Sequence, residues 1–117
     1  MTIGQVSKEL GVGQDTLRYY ERIGMIPPVT RNKSGLRDYT EEDLRWVELA
    51  LCMRGAGLTV EALTEYVHLC RMGEESIPAR VRLLREQKEA LLEQRRQIDT
   101  ALARLERKIG RYETHGA

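Results

Sequence analysis

The sequence predicts a mainly α protein: a winged helix-turn-helix head with a small β-hairpin wing, a helical hairpin, and a long C-terminal coiled-coil helix for dimerisation. Three observations carry this. Two short amphipathic stretches are joined by Gly11-Val12-Gly13, the spacing of a helix-turn-helix. A basic segment with a strong turn sequence follows the Pro27-Pro28 stop. Unbroken heptads fill the last third. The 117 residues suffice for one small domain and an extension. The expected division is a head over residues 1–72, then a dimerisation helix and short tail over 73–117.

Thr2 with Gln5 three residues on fits a capping box, and Ile3, Val6 and Leu10 form one apolar stripe of a first helix. Gly11 ends it. A second helix starts near Gln14, with Leu17 and Tyr20 inward and Asp15, Arg18, Tyr19 and Arg22 elsewhere. Gly24 suits the left-handed residue after a helix, and Pro27-Pro28 prevents continuation. Asn32-Lys33-Ser34-Gly35 is a turn sequence in which Gly35 can take positive φ, placing Arg31 and Arg37 on flanking strands.

Thr40 opens a third helix whose first turn carries Glu41, Glu42 and Asp43, favourable to the helix dipole. Leu44, Val47 and Leu51 form its inner stripe, widened by Trp46, Ala50 and Met53. Gly55-Ala56-Gly57 breaks it. Leu58 and Leu63 then bracket Thr59 as a hydrophobic staple, and Leu63, Tyr66, Val67 and Cys70 line a fourth helix closed by Met72-Gly73.

From Ser76 to Tyr112, Ile77, Leu84, Leu91, Ile98, Leu105 and Tyr112 recur every seven residues, interleaved with Val81, Lys88, Arg95, Leu102 and Ile109. The first set takes d positions and the second a positions. One helix of this length runs about 50 Å at ~1.5 Å per residue and needs a partner for its apolar side. The expected dimer seam is Ile77, Val81, Leu84, Leu91, Ile98, Leu102, Leu105 and Ile109. Lys88 and Arg95 sit mid-seam, where they cost stability and restrict register.

The formal net charge is only +1, but it divides unevenly. Residues 1–40 carry +2, residues 41–72 carry −3, and residues 73–117 carry +2. The cations cluster where the second helix and wing lie, and local charge governs phosphate attraction. A lone charge on a helix's outer face is ordinarily just solvated. Here arginines that fork onto phosphate or base edges adjoin a tyrosine and three wing cations. That joint pattern points to duplex DNA. The candidate contacts are Ser7, Gln14, Thr16, Arg18, Tyr19, Arg22, Arg31, Lys33, Arg37 and Tyr39.

TIGQVSKELGVGQDTLRYYERIGMIPP followed by RNKSGLRDY resembles the winged-helix head of the MerR family of bacterial transcription regulators. The order of the later elements fits too, so the resemblance spans nearly the whole chain. Gly13 departs from it, since Ser or Thr is common there; glycine caps a helix for only a few tenths of a kcal/mol less. The resemblance implies an antiparallel homodimer, double-stranded promoter DNA as ligand, and RNA polymerase as functional partner. It also implies activation by distorting an over-long promoter spacer.

Cys70 falls in the fourth helix's apolar stripe and reads as a small core residue. Cys52 falls between Arg45 and Glu48 on the polar side of the third helix, where partial exposure and a nearby cation favour reactivity. A helical hairpin turning near Gly55–Gly57 puts the two about 10–13 Å apart by helical rise, too far for an intrachain disulfide. His68 and Cys70 lie some 200° apart on their helix and cannot share an ion. Soft-metal regulators of the resembling family use thiols near the start of the long helix, where this chain has Ser76, and in a loop after it. No metal or other cofactor is therefore expected. LCMRGAGL, RMGEESIPAR and the chain's end are similar to the aldehyde- and thiol-stress branch of that family, the AdhR/NmlR-like regulators. Carried over from that branch, Cys52 is the sensor, modified by reactive electrophiles.

No nucleophile–base arrangement, phosphate-cradling glycine loop or paired carboxylates support an enzyme. The rival readings are a DNA-bending architectural or constitutive regulator without effector, and a sensor of another ligand. With no signal-peptide-like N-terminus and no bilayer-length apolar run, the expectation is a cytoplasmic protein with no membrane partner.

Overall fold

The computed structural model describes residues 1–115 and forms two compact units, Met1–Leu83 and a second from Leu84 onward. The Gly116-Ala117 end of the expected tail lies outside the described residues.

In the first unit, α1 (Ile3–Leu10) begins with the capping box expected: the Thr2 hydroxyl accepts from Gln5 N and the Gln5 side chain accepts from Thr2 N. Gly11 adopts φ 67° as the C-cap, a region open to glycine at little cost. Helix α2 (Gln14–Ile23) starts at Gly13 without a side-chain cap and ends at Gly24, whose N–H reaches the Tyr20 and Glu21 carbonyls. Val6 and Leu17 are completely buried where these helices meet.

The segment after α2 contributes to the core rather than merely crossing the surface. Met25 and Ile26 expose 2% each, and Val29 and Tyr39 are also buried. The wing is smaller than expected. No strand forms; Arg31 and Arg37 make a single antiparallel bridge. The Asn32 carboxamide oxygen accepts from Ser34 N and Leu36 N, so the turn's own side chain supplies order that a longer ladder would otherwise provide.

Helix α3 (Glu41–Gly55) is capped by Thr40, and Asp43 completes a capping box. The Asp43 carboxylate accepts from Thr40 N at 3.0 Å and from Thr30 N at 3.2 Å, joining the wing's entry to α3. Burial works to raise its pKa, but hydrogen bonds from Thr40 and Thr30 outweigh that and leave it lowered. After α3, Leu58 and Leu63 are both buried around the Thr59 cap of α4 (Val60–Arg71). The Arg54 guanidinium donates to the Leu58 carbonyl at 2.6 Å and closes the connection.

Gly73, at φ 93°, turns the chain into a 3-10 segment, Glu74–Ser76, and then α5 (Ile77–His115). Ser76 is buried and its hydroxyl faces the Leu69 and Gly73 carbonyls. Arg80 donates to Ser76 Oγ at 2.9 Å, to the Gly73 carbonyl at 2.6 Å and to the Cys70 carbonyl. One guanidinium thus satisfies carbonyls left over at the end of α4.

The second unit is the remainder of α5. No α5 residue is fully buried in the isolated chain. Its seam shows large apolar side chains to solvent, including Ile98, Leu102 and Leu105 at 59%, 53% and 58%. No described helix is long and apolar enough to cross a membrane.

Candidate nucleic-acid interface

The outer face of α2 is built from residues left over once Leu17 and Tyr20 are committed to the core. Gln14, Arg18, Tyr19 and Arg22 are exposed, and Thr16 is half-buried. Arg22 places its guanidinium carbon 5.4 Å from the centre of the Tyr19 ring, a cation–π contact that restrains both side chains. Arg18 is held by its own helix, donating to Asp15 Oδ1 at 3.0 Å and to Gln14 Oε1 at 3.3 Å. Asp15 is wholly exposed and Arg18 is 44% exposed. A pair this open adds little stability, so the guanidinium can exchange its partners for phosphate or a base edge.

Within the wing, Lys33 is exposed. Arg31 donates to the Gly35 carbonyl and lies 3.8 Å from Glu21 Oε2. Arg37 is more strongly committed: its Nε donates to Glu21 Oε1 at 2.6 Å. Glu21 was not among the residues singled out in the sequence, yet it organises the surface. It exposes only 11% of its side chain, meets both wing arginines, and accepts from Val29 N at 2.9 Å. A signal was present, because Glu21 follows Leu17 and Tyr20 at i+4 and i+1 and so shares their inner face. A carboxylate there needs cationic partners, and the wing supplies them.

Two expected contacts are corrected. Tyr39 is 2% exposed and belongs to the core, with a buried hydroxyl that meets no hydrogen-bond partner among the described residues. Burial raises its pKa, and the nearby Arg37 only partly offsets this. Its N–H pairs with the Met1 carbonyl at 2.7 Å, which seats the segment leaving the wing. Ser7 is half-buried and its hydroxyl donates to the Val12 carbonyl. It therefore fastens the turn between α1 and α2 instead of offering its proton outward.

Cys52 is exposed and Cys70 is half-buried; both are free thiols. The Tyr66 phenol has a raised pKa from burial and from its hydrogen bond with Cys70, which ties Cys70 into the packing of α4. Among the described residues, no group of three His, Cys, Asp or Glu side chains is placed to hold a metal ion.

An exposed basic and aromatic helix face beside a short basic wing, on a helix-turn-helix scaffold, defines a winged-helix DNA-binding protein. Residues 1–69 match the family model for MerR HTH family regulatory proteins, and the chain belongs to the MerR family. It is 50% identical over 93 residues to the HTH-type transcriptional regulator AdhR of Bacillus subtilis (strain 168), a match covering 80% of this chain and 66% of that protein. The chain thus spans just under two thirds of that relative's length. A crystal structure assigned to the MerR transcriptional regulators of Listeria monocytogenes matches with a TM-score of 0.95 and 47% identity, over 98% of this chain and 87% of that one. The structure of HiNmlR, described as a MerR family regulator lacking the sensor domain, bound to promoter DNA, matches with a TM-score of 0.88 and 26% identity. That match covers 97% of this chain and 90% of the other. These relatives are transcriptional regulators, not enzymes.

Proposed function

We propose that the protein is a homodimeric transcription regulator that reads a pseudo-palindromic promoter site, one α2 helix per half-site. The observation that carries this is the α2 outer face, where Arg18, Tyr19 and Arg22 are exposed beside the wing's Lys33 and Arg31. Two such heads fit successive major grooves about 34–36 Å apart, with the wings on flanking backbone. The likeness to a regulator solved on promoter DNA supports the same ligand. Bending the site stores a few kcal/mol of elastic energy. A modest change in the protein can therefore alter how RNA polymerase engages the promoter. Arg18→Ala weakens operator binding by about 1–3 kcal/mol if Arg18 reads a base. An unchanged dissociation constant in a titration at fixed salt removes it from the reading surface.

The finer reading is a response to reactive electrophiles or oxidants through Cys52. Its support is the exposure of that thiol near the end of α3 and the resemblance to the aldehyde- and thiol-stress branch. Modification there biases the relation between head and coil. Cys52→Ser leaves operator binding intact and abolishes electrophile-induced transcription from a reporter promoter. A Ser variant that still responds returns the protein to the constitutive, DNA-bending reading.

A further inference from the structure

Helix α5 carries an apolar residue that its heptads leave unexplained. Leu92 lies one position beyond the seam residue Leu91, at an e position of the repeat, yet it is half-buried whereas Glu93 and Gln94 after it are exposed. Only two charged groups flank the seam on that side near Leu92, Arg85 and Asp99, each seven residues away. Neither takes part in an ion pair among the described residues of this chain.

We propose that a second copy docks on α5 in one antiparallel register whose two-fold axis passes beside Leu92, so that Leu92 meets the partner's Leu92 and Arg85 meets the partner's Asp99. The proposal rests on the dimer reading above and specifies its geometry. In antiparallel coils each a position faces a d position of the mate, and e positions face e positions. The register pairs Ile77 with the partner's Ile109, Val81 with the partner's Leu105, and Leu84 with the partner's Leu102. Lys88 then packs on the partner's Ile98 and Arg95 on the partner's Leu91. Every seam residue from Ile77 to Ile109 gains a mate, covering side chains that are otherwise open to water.

The alternatives fail on charge or on coverage. A parallel, in-register coil stacks Lys88 on the partner's Lys88 and Arg95 on the partner's Arg95 within the seam, and sets Arg80 against the partner's Arg85. Like charges directly opposed there repel, and apolar mates do not. Sliding the antiparallel pair one heptad toward the C-terminus sets Leu92 against the partner's Asp99 and leaves Ile77 without a mate. Sliding it the other way sets Arg85 against the partner's Leu92 and strands Leu105, Ile109 and Tyr112. The chosen register does place Lys108 near the partner's Arg80, but that guanidinium is turned to the Gly73 and Cys70 carbonyls of its own chain.

The test uses the full chain carrying Cys52→Ser and Cys70→Ser, with sedimentation confirming a dimer before mild oxidation. Leu92→Cys in that background forms a covalent dimer, and Lys88→Cys does not. Self-linking through Lys88→Cys overturns the proposal in favour of a parallel coil. Linking of Leu92→Cys only to a chain bearing Asp99→Cys overturns it in favour of a slipped register. A monomer in sedimentation overturns the dimer reading itself, a different failure. Charge exchange gives a second measure that needs no cysteine: Asp99→Arg weakens dimerisation roughly tenfold, and adding Arg85→Asp restores most of it. Absence of that rescue with dimerisation otherwise intact also overturns the register.

Discussion

Tyr39 and Arg37 stand two residues apart on the segment leaving the wing, and the head uses them differently. Arg37 keeps 22% of its side chain exposed beside Glu21, whereas Tyr39 is sealed in the core. A tyrosine among cations reads as a phosphate contact in sequence, because its hydroxyl and ring suit that role equally well. What excludes it is burial by surrounding side chains, a property no local pattern encodes. Tyr39→Phe therefore leaves operator affinity unchanged and raises stability by roughly 1 kcal/mol in chemical denaturation, since the removed hydroxyl has no partner to lose. A marked fall in affinity with unchanged stability would return Tyr39 to the DNA surface. Cys52 shows the opposite case: its exposed position agrees with the helical phase read from its neighbours.

At the scale of elements, α1 to α4 follow closely from their punctuation. Thr2, Thr40 and Thr59 cap where expected, and Gly11 and Gly24 take the left-handed conformation that ends a helix. These signals are local, so they are legible in the chain. The wing was only partly legible. Its turn formed at Asn32–Gly35, but the flanking strands contracted to one bridge. The wing is fastened instead by Glu21 from α2, a contact spanning 16 residues to Arg37. Glu21→Gln keeps an acceptor for Val29 N but loses the charge facing two arginines. We expect a loss of about 1.5–3 kcal/mol in stability, the range for hydrogen bonds to charged groups. Operator affinity falls too, although the substitution makes the surface more basic. Tighter binding would show that charge alone, rather than wing placement, governs the interface. Likewise, Met25, Ile26 and Val29 entered the core from a segment with no period to announce it.

For the whole molecule, the open questions concern what the long helix joins. A chain ending at Leu83 retains the first unit's buried residues and the Ser76–Arg80 contacts. It should sediment as a folded monomer, and lose about 10²- to 10⁴-fold in operator affinity once two linked heads become one. A dimer at that length would place the principal seam within the head.

By itself, the sequence determined the helical class, the caps and breaks of α1 to α4, the heptads of α5 and the basic face of α2, because each depends on residues within a turn or two of one another. The tertiary structure alone decided that Tyr39 and Ser7 serve the fold, that Glu21 anchors the wing, and that Arg80 closes α4 onto the start of α5. Those outcomes depend on which distant groups exclude water from one another, and burial of that kind arises only once the chain has folded.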